Sequence, residues 1–192
     1  MLYTTINKLK GKRACESGLK KVLRFVGPNF DKDKNIPLTD IIKSNGIVDA
    51  IWALRATTEC GKETCQSVAI FCAEESLPYF EKQHPNDSRV RDCIEAAKKY
   101  ISREIGYDEL IKCRSAARAA AEAAYGAYAA YAAYAAATAA AEAAYAAYAD
   151  ADDAYDVADA AYGAYGAYDV AATTKEFKAK LEIKFKELLA AK

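Results

Sequence analysis

Residues 116–172 read AARAAAEAAYGAYAAYAAYAAATAAAEAAYAAYADADDAYDVADAAYGAYGAYDVAA. Ala makes up more than half of this stretch, and ten of the fourteen tyrosines of the chain lie in it. Ala loses no side-chain entropy on entering a helix and is the best helix former. The stretch far exceeds the roughly 12–15 residues below which an isolated helix is marginal in water, so its composition predicts helix.

The spacing of the tyrosines shows how such helices could be used. Tyr125, Tyr128, Tyr131 and Tyr134 recur at every third position. At about 100° per residue, four rings sweep about half of a helix circumference, which suits a helix touched from several sides. Tyr148, Tyr155 and Tyr162 fall at heptad spacing with Asp153, Asp156 and Asp159 largely off their stripe, so the second half reads as amphipathic. Small Ala lets helix axes approach closely, while Tyr adds apolar area and a hydroxyl that needs water or a partner. Arg114, Arg118 and Glu122 recur every fourth residue and form one polar ridge. On a continuous helix that ridge lies roughly opposite Tyr131 and Tyr134 and faces solvent. Asp150, Asp152 and Asp153 are poor helix residues and good caps, which predicts a turn near Ala149–Asp153. Thr173 with Glu176 matches a capping box and starts a last helix whose stripe is Phe177, Leu181, Phe185 and Leu188.

The preceding residues also read as helices. Leu2, Ile6 and Leu9 predict a short first helix ended by Gly11. A second runs from Arg13 to Val26, buries Cys15, Leu19, Val22, Leu23 and Val26, and stops at Gly27-Pro28. Pro37 opens a third, closed by Asn45-Gly46. Ile47–Arg55 forms a fourth with Trp52 as a core anchor and Arg55 in a structural role. Glu63 to Ser76 forms a fifth that Pro78 terminates, with Cys65, Val68, Ala69 and Cys72 on one face. After His84–Ser88, where Asp87 or Ser88 can cap, Val90, Cys93, Ile94, Ala97, Ile101 and Ile105 mark the clearest amphipathic helix. The expected fold is all-α, a bundle of about eight or nine helices with long Ala/Tyr-rich helices in its C-terminal half. A helical part over residues 1–115 packs with the part over 116–192 as one continuous domain.

Charge and composition narrow the function classes. Lys plus Arg equals Asp plus Glu, 27 each, so the usual electrostatic footprint of a general nucleic-acid binder is missing. The basic residues Lys8, Lys10, Lys12, Arg13, Lys20, Lys21 and Arg24 read first as solvated helix faces. Met1–Leu9 lacks the apolar core of a signal peptide and no run resembles a membrane span, so a cytoplasmic protein is expected. Six cysteines with no CxxC pair, and a single His, argue for reduced thiols rather than a metal site. His84 beside Asp87 and Ser88 is too local in sequence to form a catalytic triad. No catalytic residue, metal or cofactor is expected, and the protein reads as no enzyme.

Asp49-Ala50-Ile51-Trp52-Ala53-Leu54-Arg55, Pro85-Asn86-Asp87-Ser88-Arg89-Val90-Arg91 leading into Ile94-Glu95-Ala96-Ala97, and the Ala-rich tail with regular aromatics carry a resemblance over roughly residues 14–172. In these the chain resembles the putative immunity protein family, Ala-rich helical proteins of bacterial toxin systems and phages. The resemblance implies a helical, non-enzymatic protein that neutralises a protein partner by direct binding, as immunity against a toxin or as a phage inhibitor of host defence. Tyr125, Tyr128, Tyr131, Tyr134, Arg114 and Arg118 are the candidate contact residues, because Tyr supplies rigid amphipathic contact area and Arg pairs with anions. Packing between helices is the plainer role for any one ring. Two other classes stay open: capture of a nucleotide-like ligand in a Tyr-lined groove, and a structural helical oligomer such as a homodimer.

Overall fold

The computed structural model describes residues 2–57, 62–124, 131–148, 164 and 174–190. Among them, nine α-helices and one 3-10 turn accompany a two-stranded antiparallel ribbon, so the fold is all-α. The order is β1 (Tyr3–Thr4), α1 (Ile6–Gly11), α2 (Glu16–Val26), β2 (Ile36–Pro37), α3 (Leu38–Asn45), α4 (Ile47–Trp52), the 3-10 turn Ala53–Ala56, α5 (Lys62–Gln83), α6 (Arg89–Ile101), α7 (Tyr107–Ala124), α8 (Tyr131–Tyr148) and α9 (Thr174–Ala190).

The ribbon is the element that helical spacing hides. Leu2 and Ile6 are both buried, as a helix would have them, but Tyr3 pairs with Pro37 and Thr4 with Ile36. Thr4 also donates its hydroxyl to the Ala56 carbonyl at 2.6 Å, tying the N-terminus to the turn after α4. Thr5 then caps α1 by accepting from the Lys8 amide. The second helix starts at Glu16, not Arg13, because Arg13 takes a positive φ of 61° and Cys15 is the cap. Cys15 is consequently exposed rather than buried. Gly27 and Gly46, with φ of 97° and 95°, end α2 and α3 where Gly-Pro and Asn-Gly predict.

Pro78 does not end α5. The helix continues to Gln83 with Pro78 inside it. An interior Pro costs about 3 kcal/mol or more, but the buried face continues across it, from Leu77 just before it to Phe80 beyond it, both in the core. Tertiary burial outweighs the lost backbone bond. At the next junction Asp87, not Ser88, satisfies an open amide: its carboxylate accepts from the Arg89 backbone N–H at 3.1 Å and from the Arg89 guanidinium. These contacts, the side-chain bond first, hold the Asp87 carboxyl below its ordinary range. A carboxyl depressed in the folded state stabilises the fold above its unfolded pKa and loses that contribution as pH falls through the folded one. Asp87→Asn is therefore expected to lower the melting temperature at pH 7 and to match the parent protein well below about pH 4. The effect stays under about 1 kcal/mol because the pair is partly exposed.

The largest helix contacts are those of α8 with α5, α7 and α6. One apolar cluster runs from Leu2, Ile6 and Leu38 through Val68, Cys72 and Phe80 to Phe177, Leu181 and Phe185 of α9. A second joins Cys93, Ala97, Leu110, Ala117, Ala141 and Ala144 where α6, α7 and α8 meet. The α9 stripe is as predicted except that Leu189, 1% exposed, takes the place expected of Leu188. Ile101 is 38% exposed, because α6 ends there. The predicted turn at residues 149–153 and the capping Thr173 lie outside the described residues.

Candidate functional site: the seam of α7 and α8

The described helices α7 and α8 lie side by side. Arg114 meets Ala141 and Tyr145, while Arg118 and Ala121 share a cleft with Thr138 and Ala141, so α8 packs antiparallel along α7. On α8, Ala139, Ala140, Ala141, Ala143, Ala144, Ala146 and Ala147 are all buried. At about 100° per residue they cover about 220° of the helix. Thr138, Glu142 and Tyr145 form the remaining, half-buried stripe.

That stripe faces the arginine ridge. Arg114 donates Nε to the Ala141 carbonyl at 3.2 Å, lays its guanidinium 4.7 Å from the centre of the Tyr145 ring, and has Nη2 3.8 Å from Glu142 Oε2. Only 18% of the Arg114 side chain and 13% of that of Glu142 are exposed. A carbonyl bond, a cation–π contact and a partly desolvated carboxylate together make Arg114 a clamp between the two helices. The expectation of a ridge facing solvent, opposite the tyrosine positions, therefore fails at Arg114. It presumed one straight helix, whereas the antiparallel packing of α8 on α7 brings ridge and stripe together.

Arg118 and Glu122 are exposed, and Arg118 has no ion pair among the described residues. With Ala121, Thr138, Ala141 and Glu142 they line a cleft of about 130 Å³. Sites that enclose small molecules usually span about 300–1,000 Å³. This cleft fits a few waters or one side-chain tip, not a nucleotide. Of the four candidate tyrosines, Tyr131 and Tyr134 belong to α8, with side chains outside the described part, and Tyr125 and Tyr128 lie outside the described residues.

Two further bonds fix α8 in its groove. Gln66 of α5 donates to the Ala147 carbonyl at 2.8 Å in a buried position, and the Cys93 thiol of α6 lies 3.5 Å from the Ala140 carbonyl. Burial first, then the neighbouring Cys113, pushes the Cys93 thiol up to about 12. Among the described residues no cluster of His, Cys, Asp or Glu could hold a metal ion, and no helix is long and apolar enough to cross a membrane.

The model of the Imm-5 like putative immunity protein family matches residues 55–184. The chain belongs to that family. The match takes in α5 to α8 and most of α9, and with them the Pro85–Arg91 motif and the Ala-rich run; of Asp49–Arg55 it includes only Arg55. No curated protein and no solved structure matches the chain. The match supports an immunity-like role.

A second concavity lies before the matched residues and escaped sequence reasoning. It is a groove of about 280 Å³ between the α1–α2 corner, α2, α3 and α4. Trp52, expected as a core anchor, is only half-buried there: Arg55 stacks 4.8 Å from its ring and the groove borders it. Arg55 itself is 6% exposed, consistent with the structural role expected of it. Cys15 lies on the rim, accepting from the Gly18 amide at 3.3 Å and contacting the Ser17 hydroxyl at 3.3 Å. The Ser17 contact foremost, and the Gly18 amide next, lower its thiol pKa. Thiolate is the reactive form. A disulfide reagent at neutral pH is therefore expected to modify Cys15 well before the buried Cys72 and Cys93, and Cys15→Ser to remove that phase. Labelling of Cys93 as fast as Cys15 in the folded protein would show that the α6–α8 seam opens freely.

Proposed function

We propose that this protein neutralises a bacterial protein toxin by binding it directly, without chemistry of its own, and that the seam of α7 and α8 is the contact surface. Membership of an immunity family carries the first part. The unequal use of the two arginines supports the second: Arg114 is engaged within the fold, whereas Arg118 is exposed beside the exposed Glu122. Residues 131 and 134 stand at helical register positions that continue the Thr138–Glu142–Tyr145 stripe toward the start of α8. The surface would combine aromatic area with a cation, the composition that dominates binding hot spots. The shared apolar cluster from Leu2 to Phe185 supports a single domain that presents this seam rigidly.

The test is protection. Cells expressing a panel of bacterial toxin domains together with this chain should survive for its cognate toxin, and the purified pair should associate in calorimetry. Arg118→Glu combined with Tyr131→Ala and Tyr134→Ala is expected to weaken that association about tenfold or more while the circular dichroism spectrum is kept. Arg114→Ala should instead lower the melting temperature. If the triple variant protects as well as the parent, the contact surface lies elsewhere. If a toxin is bound and degraded or modified, the non-enzymatic reading falls.

A further inference from the structure

We propose that the groove between α2 and the α3–α4 corner binds a free apolar amino acid as its zwitterion, with the ligand's ammonium on Asp49, its carboxylate on Arg13 and its side chain against Trp52. The site is separate from the seam: every residue lining it falls within positions 9–53, ahead of the family match.

The floor selects the side chain. Leu9, Leu19, Val22, Ile41 and Ala53 surround the exposed part of Trp52, against which Arg55 stacks at 4.8 Å. At about 280 Å³ the groove lies at the bottom of the range for small-molecule sites, the scale of one amino acid rather than of a nucleotide. Aliphatic side chains outnumber aromatic ones here, which disfavours a stacked nucleobase.

Two opposite charges share this lining without pairing with each other, Arg13 and Asp49. Asp49 is half-buried and has no ion pair among the described residues. Asn45 Nδ2 donates to the Gly18 carbonyl at 3.1 Å and to Asp49 Oδ2 at 2.7 Å, which fixes the carboxylate and leaves it acceptor capacity. Gly18 keeps the space beside it open: a Cβ there would stand 3.2 Å from Cys15 Sγ and 3.5 Å from Asp49 Oδ2. Arg13 is exposed and likewise has no ion pair among the described residues. Its place is set by the end of α1, where the Arg13 N–H donates to the Lys10 carbonyl and the Ala14 N–H to the Leu9 carbonyl, both at 2.9 Å, around a φ of 61° at Arg13. Helices that end in this way usually carry Gly at that position, because an L side chain is strained there. The chain thus holds a cation beside the groove where its backbone favours Gly. A carboxylate alone would meet Asp49, an ammonium alone would meet Arg13, and the anchor of a peptide brings neither charge. An amino acid carries both on one carbon beside an apolar side chain, so it pairs with both residues while covering the floor.

Trp52 is the only tryptophan of the chain and reports occupancy directly. The probe is L-leucine, titrated into the full chain and followed by Trp52 emission and calorimetry. The expected result is saturable binding, slower labelling of Cys15 and a melting temperature that rises with leucine concentration. The two charges of the ligand are tested one at a time: isoamylamine, which lacks the carboxylate, and isocaproate, which lacks the amine, should each bind about tenfold or more weaker. On the protein side, Arg13→Gly should cost about as much in leucine affinity while keeping or raising the melting temperature of the free protein, since Gly accepts the positive φ. Asp49→Asn should weaken leucine to a similar extent, with circular dichroism confirming that it is folded. No saturable leucine binding, equal affinity for either one-charge analogue, or unchanged affinity in Arg13→Gly overturns the proposal. None of these outcomes depends on toxin protection, so failure here leaves the seam reading standing.

Discussion

Phe80→Ala is expected to be the most damaging single truncation, at about 3–5 kcal/mol, the usual cost of emptying a buried aromatic site. Phe80 is fully buried, and its ring centre lies 4.9 Å from that of His84 at the end of α5. It also carries the helix past Pro78. Removing it takes away the burial that compensates for the interior Pro, so α5 should fray from Pro78 onward as well as losing its core contact. Denaturant unfolding followed by far-ultraviolet circular dichroism measures both: a lower midpoint and, at zero denaturant, a reduced helical signal. Phe25→Ala, at an exposed position, should stay within about 0.5 kcal/mol. A loss below about 1 kcal/mol for Phe80→Ala would mean that the residues beyond Pro78 are not held by the core.

Adding volume should hurt the Ala-lined seam as much as removing it hurts the Phe core. Ala140 and Ala144 are fully buried on α8, the first with its carbonyl against the Cys93 thiol and the second in the cluster with Ala117 and Leu110. Leu is nearly as good a helix former as Ala, so any loss on Ala→Leu is a packing loss. Ala140→Leu and Ala144→Leu are each expected to cost about 1–3 kcal/mol, and more where the helices cannot separate. Both touch neighbouring elements, so the double variant need not be additive. Ala123→Leu, on the exposed side of α7, is the control and should be close to neutral. A neutral Ala140→Leu would contradict the close approach of α6 and α8.

Where the chain reports its own structure locally, residues and fold agree. Gly27-Pro28 and Asn45-Gly46 end helices because a positive φ is needed there and only Gly supplies it without strain. The stripe Phe177, Leu181 and Phe185 is buried as its period demands. Cys65, Val68, Ala69 and Cys72 share a buried face for the same reason. The errors come from competition between local and distant terms. Pro78 is a correct local signal overridden by Phe80. Tyr3–Thr4 pairs with Ile36–Pro37 across more than thirty positions, which no short window detects.

Candidate contact residues divide along the same line. Arg114 and Arg118 are equivalent in spacing and composition, four positions apart on one ridge. Only the antiparallel packing of α8 along α7 separates them, making Arg114 a clamp and leaving Arg118 exposed. The groove at Trp52 had no local signature at all, because its walls come from four elements that meet only after packing.

Residues 116–172, taken alone, determined that this protein is helical, that its helices could pack closely, and that its chemistry would be sparse, since those properties follow from Ala propensity, Ala size and composition. How those residues are used was decided by tertiary structure. An Ala-rich helix has nearly the same affinity for a neighbour on every side, so its sequence does not say which face is covered. The buried arc of about 220° on α8 arises because α5, α6 and α7 surround it, and the half-buried stripe beside that arc is the one that meets Arg114.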